Sequence, residues 1–167
     1  DVDEFEAAFN HYQIALESFN KIEENNLTHY FKAFTNCSLG TYYYYRNNYQ
    51  KSLTCFQLAL NGFEENTLKS PIFDGDIPMV YNYMGLIATA QHSYARAQDF
   101  LDKSLVKRQL LLRDNPSVYR PDCAETLGNL GSLKYTQNDF IAATPLLKDA
   151  LNQYQAVQKN YIQDFSV

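Results

Sequence analysis

A recurrence of 44 to 46 residues constrains this chain more than any other feature. Phe5, Tyr49, Tyr94 and Phe140 follow one another at intervals of 44, 45 and 46 residues. The small residues Ala8, Ser52, Ala97 and Ala143 keep the same intervals. So do the bulky residues Tyr12, Phe56, Leu101 and Leu147, and then Ala15, Ala59, Ser104 and Ala150. Upstream of the last three sets, Leu39-Gly40, Met84-Gly85 and Leu130-Gly131 recur at 45 and 46 residues. A small residue on each of two antiparallel helices lets their axes approach, and large neighbours fill the grooves beside it. Gly inside a helix costs about 0.5–1 kcal/mol relative to Ala, so three of them in matched register point to close packing. The pattern predicts helix pairs stacked on one another.

Residues 37–60 hold one such unit: a helix, a tight turn and a second helix. Apolar spacings of three and four residues predict helices over about 3–24, 28–45, 49–67, 77–91, 94–112, 122–136 and 139–160. Asn26 or Thr28 is expected to cap the second of these. Arg46-Asn47-Asn48 and Gln91-His92-Ser93 are the expected turns, since Asn tolerates left-handed backbone. Loops are expected over 69–78 and 113–121 from their Pro, Gly and Asp content, with Asp76 as an N-cap and Pro78 in the first turn that follows. Residues 161–167 read as a frayed tail or the opening of a further unit. The fold class expected is all-α, an antiparallel helix-pair solenoid of about seven helices in one domain over 1–167. It divides into a lone second helix at 3–26 and repeats at 27–68, 76–114 and 121–160. Opening on an unpaired second helix and without Met, the chain reads as a piece of a longer array. Its cut ends would expose apolar faces able to self-associate by stacking.

Composition narrows the function. A net charge of −5 and a pI near 5.1 disfavour nucleic acid as a partner, because phosphate neutralisation needs a concentrated basic face. Residues 1–24 carry seven acidic side chains and one basic, a net −6. Lys103, Lys107, Arg108, Arg113 and Arg120 against Asp114 give a local +4, which reads as a solvated face or an electrostatic docking surface. No apolar run approaches the roughly 18 residues of a membrane span, so no membrane insertion is expected. The opening DVDEFE is acidic where a signal peptide needs a basic region. Cys37, Cys55 and Cys123 form no CxxC pair and have no His at ligand spacing. They read as small buried hydrophobes of a reducing, cytoplasmic protein, without disulfide or zinc. His11, His29 and His92 are scattered, and there is no phosphate loop, HExxH or GxSxG. Asp74-Gly75-Asp76 lacks the other ligands of a calcium loop and reads as turn and cap. No catalytic residue, cofactor or metal is expected.

Leu39-Gly40-x-x-Tyr43 and Ser52-x-x-x-Phe56-x-x-Ala59 resemble the tetratricopeptide repeat, with Ser in place of the first Ala. The long period, and the run from Asn115 and Pro116 through Thr126, Leu127 and Asn129 to Gly131, are similar to the long-repeat branch of the kinesin-light-chain type and its bacterial relatives. The likeness covers about 3–160 and departs at Ala88 and Lys134, where the pattern has Tyr, and at Ser104, where it has Ala. It implies a non-catalytic module that binds a peptide segment or protein partner on a concave face lined by the first helix of each pair. That face would hold Phe34, Cys37, Thr41, Tyr44 and Tyr45, then Met79, Asn82, Leu86 and Thr89, then Glu125, Asn129, Ser132 and Tyr135. Tyr42–Tyr45 cover a whole helical turn, so they cannot share one face. Tyr43 is the core member by register. Tyr44 and Tyr45 fall near the groove, where Tyr suits recognition, or pack between helices. Asn82 and Asn129 are candidates to bond the backbone of an extended peptide. The family's carboxylate clamp needs Lys and Arg that this face lacks. The alternative is a ligand- or peptide-sensing regulatory domain of a larger signalling or effector protein.

Overall fold

The computed structural model describes residues 2–67 and 75–164, with the side chains of 6–65 and 75–158. These residues form seven α-helices and no strand: α1 (Val2–Phe19), α2 (Asn26–Tyr45), α3 (Tyr49–Thr67), α4 (Asp76–Ala90), α5 (Tyr94–Asp114), α6 (Pro116–Thr136) and α7 (Phe140–Asp164). The all-α helical repeat expected from the recurrence is present. The chain divides into two compact units, 1–87 and 88–167.

Three turns of a single geometry punctuate the helices. Asn47, His92 and Asn138 adopt φ of 56°, 56° and 61°. The next amides, of Asn48, Ser93 and Asp139, donate to the carbonyls of Tyr43, Ala88 and Lys134 at 2.9, 2.8 and 2.9 Å. This ring closes a helix end around one left-handed residue. The carbonyls of Asn48, Ser93 and Asp139 then accept the amide of the fourth residue of the following helix, from Ser52, Ala97 and Ala143. Asn and His are among the few L-residues that enter this region.

Within 1–87, a Cβ at Gly40 would come 2.7 Å from the ring of buried Phe56. Within 88–167, a Cβ at Gly131 would come 2.7 Å from the Leu147 side chain. Both are the small-against-bulky pairs of the recurrence, so the close approach it predicts is built into each unit. Helix α1 packs on α2 through stacked rings, Phe9 on Tyr42 at 4.5 Å and Phe19 on Phe31 at 5.7 Å, which makes the two helices antiparallel. In the second unit, Ala88, Ala97, Leu101, Leu130 and Leu133 pack together, beside Cys123, Leu127 and Ala150.

Several boundaries differ from expectation. Helix α1 ends at Phe19, and Asn25, not Asn26 or Thr28, caps α2: its Oδ1 accepts the Thr28 amide at 2.9 Å. The loop expected over 113–121 is helical except at Asn115. Pro116 occupies the first turn of α6, where a missing N–H costs little, and Pro121 forgoes only a bond near the helix start. Proline there begins a helix rather than breaking one. The greater part of the loop expected over 69–78, Asp74, the Phe5 side chain and the end of the 161–167 tail lie outside the described residues.

Candidate binding cleft

Phe34, Cys37, Ser38, Thr41, Tyr42 and Tyr45 recur every three or four residues, so they share one face of α2. With Ala8 and Tyr12 of α1 and with Asp76, Met79 and Tyr83 of α4, they line a cleft of about 470 Å³. That volume is within the range of ligand-binding pockets. The two aliphatic hydroxyls on this face are used locally: Ser38 Oγ donates to the Phe34 carbonyl and Thr41 Oγ1 to the Cys37 carbonyl, both at 3.1 Å, while Tyr42 Oη donates to Glu6 Oε1 at 3.0 Å. The wall left to a ligand is therefore mainly aromatic and aliphatic.

Asp76 is the one charged residue among the described lining residues. Tyr30 Oη donates to its Oδ2 at 2.9 Å. Burial raises the Asp76 pKa above the usual carboxylate range, and the Tyr30 bond opposes the rise. Burial first, then the bond to this carboxylate, also pushes the Tyr30 hydroxyl well above its ordinary value. The Cys37 thiol is pushed up to about 12 by burial and then by the Asp76 charge, so it stays protonated near neutrality. That is the opposite of an activated nucleophile.

Five expected site residues, Phe34, Cys37, Thr41, Tyr45 and Met79, meet in this cleft. The Tyr44–Tyr45 pair divides. Tyr44 packs edge-on against Tyr83 at 5.3 Å and lies 6.2 Å from Tyr49, between helices. Tyr45, 61% exposed, borders the cleft. Leu86 is half-buried and does not line it. Asn82 is only 1% exposed, so its amide is not presented to a peptide as the sequence suggested. Ile77, Val80, Met84 and Ile87 are buried as well, leaving α4 little free circumference at its middle.

In the second unit, Thr89 is half-buried in the last turn of α4. Glu125, Asn129, Ser132 and Tyr135 follow one face of α6. Glu125 stays exposed but is held by a buried cation: Arg108 Nη1 donates to its Oε2 at 2.9 Å, to Thr126 Oγ1 at 2.7 Å and to the Asp122 carbonyl. Tyr135 is exposed and meets Phe140 edge-on at 5.2 Å. The basic run of 103–120 does not act as one surface. Arg108 is 3% exposed, Lys103 pairs with Asp99 at 2.8 Å, and Arg120 Nη1 donates to Gln153 at 2.9 Å.

Sequence reasoning missed Ala8, Tyr12, Ser38, Tyr42, Asp76 and Tyr83. Ser38 and Tyr42 were recoverable, since they continue the stripe of Phe34, Thr41 and Tyr45. Tyr12 and Tyr83 come from other helices, and Asp76 was read only as a cap. Among the described residues, no group of three His, Cys, Asp or Glu is placed to hold a metal, and no helix is long and apolar enough to cross a membrane. Residues 123–157, in α6 and α7, match a family model described as Tetratricopeptide repeat. Comparison with curated proteins and with solved structures returned no match.

Proposed function

We propose that this chain, a tetratricopeptide repeat protein, is a non-catalytic module that binds a peptide segment of a protein partner in the cleft of its first unit. Tetratricopeptide repeats generally mediate protein–protein interaction, and this carries the coarser part of the reading. The finer part rests on one observation: five residues expected on a binding face line the same 470 Å³ cleft, whose Ser38 and Thr41 hydroxyls are already bonded to their own helix backbone. Aromatic residues that remain exposed beside such a cleft are the usual carriers of binding energy. The free Cys37, Cys55 and Cys123 fit a reducing compartment, and we assign the chain to the cytoplasm. Tyr45→Ala and Phe34→Ala should each weaken a partner complex by tenfold or more. Ile141→Ala, a change at an exposed residue of the other unit, should leave it intact. Equal binding by all three variants would remove the cleft from the account.

A further inference from the structure

The charge pattern of the cleft narrows what it holds. Five aromatic side chains line it, from Tyr12, Phe34, Tyr42, Tyr45 and Tyr83, with Asp76 among them and no Lys or Arg. Among the described residues, no Lys, Arg or His pairs with Asp76; its bond is to the neutral Tyr30 hydroxyl. A carboxylate with one neutral donor retains acceptor sites, and half-burial among rings makes a missing counter-charge costly. The surrounding sequence has the same sign: residues 1–87 contain eleven Asp and Glu against five Lys and Arg. The same unit already seats cations on rings, with Arg46 over Tyr42 at 5.5 Å and Lys51 over Tyr43 at 5.3 Å.

Resting on the peptide-binding reading above, we infer that the occupant of this cleft is a basic peptide segment. It enters through a lysine or arginine whose charged head meets Asp76 and whose stem packs on the surrounding rings. Aromatic faces attract such a cation, and their edges cover its methylene stem. An acidic or neutral segment would gain the apolar contacts and leave Asp76 without a partner. A carboxylate brought to the cleft would be repelled.

The test is selection of a random twelve-residue peptide library, displayed on phage, against the intact chain, followed by titration of the recovered peptides. Recovered sequences should share a Lys or Arg. Its replacement by Gln, or Asp76→Asn in the protein, should each lower affinity about tenfold or more. Asn keeps an oxygen for the Tyr30 hydroxyl, and a thermal melt checks that the variant folds. Should Asp76→Asn fail to fold, salt decides on the native chain, where affinity should fall as ionic strength rises. Recovered peptides without a basic residue, or basic ones that bind Asp76→Asn equally or ignore salt, overturn the cation assignment and leave the peptide-binding reading standing. A library that yields no binder overturns both.

Discussion

The hydroxyl of Ser52, fully buried, donates to the carbonyl of Gly40 across the α2–α3 pair at 2.7 Å. Ala97 and Ala143 occupy this register position in α5 and α7 and have no such bond to make. Ser52→Ala keeps the close packing and loses the bond. It should destabilise the chain by about 1 kcal/mol, read from urea unfolding.

The two glycines in register should respond differently to the same change. At Gly40 a methyl would press on Phe56, whose ring is enclosed, so Gly40→Ala should cost about 1–3 kcal/mol less the half to one that Ala returns in helix propensity. Leu147 is 39% exposed and its side chain has room to turn aside, leaving its backbone nitrogen at 3.3 Å as the remaining constraint, so Gly131→Ala should still destabilise but less than Gly40→Ala. Reversal of that order in chemical denaturation would contradict the packing described.

The left-handed turn residues make a second ordered set. Asn47→Ala should lose about 1 kcal/mol, because Ala tolerates this backbone less well than Asn. His92→Asn should change stability by less than about 0.5 kcal/mol, since Asn suits this φ better but gives up the contact of His92 Nδ1 with Tyr94 Oη at 3.0 Å. Thermal melts of the two variants provide the comparison.

Arg108 should matter to folding and not to binding. Its removal takes a buried guanidinium away from the Glu125 carboxylate, the Thr126 hydroxyl and the Asp122 carbonyl at once. Breaking a fully enclosed pair costs roughly 3–5 kcal/mol. The Glu125 side chain is 46% exposed, so about 2–3 kcal/mol is expected for Arg108→Ala. Affinity for a peptide in the first unit's cleft should be unchanged when measured under conditions where the variant is folded.

Asp76 should reveal itself in a pH series. Its folded pKa lies above the unfolded value, so the native state binds the extra proton. The stabilisation this gives is present below the ordinary carboxylate pKa and is lost as pH rises through the raised one. Asp76→Asn should therefore unfold at a higher denaturant concentration than the native chain at pH 7. The gap should shrink as the pH is lowered through the carboxylate range. A charged group retained at a cost to stability is the pattern of a site kept for binding.

The sequence by itself determined the all-α class, the close packing at the recurrent small residues and the turn positions. Each of these depends on residues within one helix pair and is repeated: Gly40 against Phe56 and Gly131 against Leu147, or Asn47, His92 and Asn138 at one φ. Repetition makes weak local preferences legible, because the same constraint is written several times. The stripe of Phe34, Thr41 and Tyr45 was legible for the same reason, being one face of one helix.

Only the tertiary structure decided which face each candidate turned to. Asn82 and Tyr44 were drawn inward, Arg108 became the partner of Glu125, and Asp76 joined Tyr30 across 46 residues of chain. Nothing in their local spacing distinguishes them from exposed neighbours. Burial is set by what a third helix lays against a pair, and a polar side chain's partner is set by distance in space. A period in sequence carries neither.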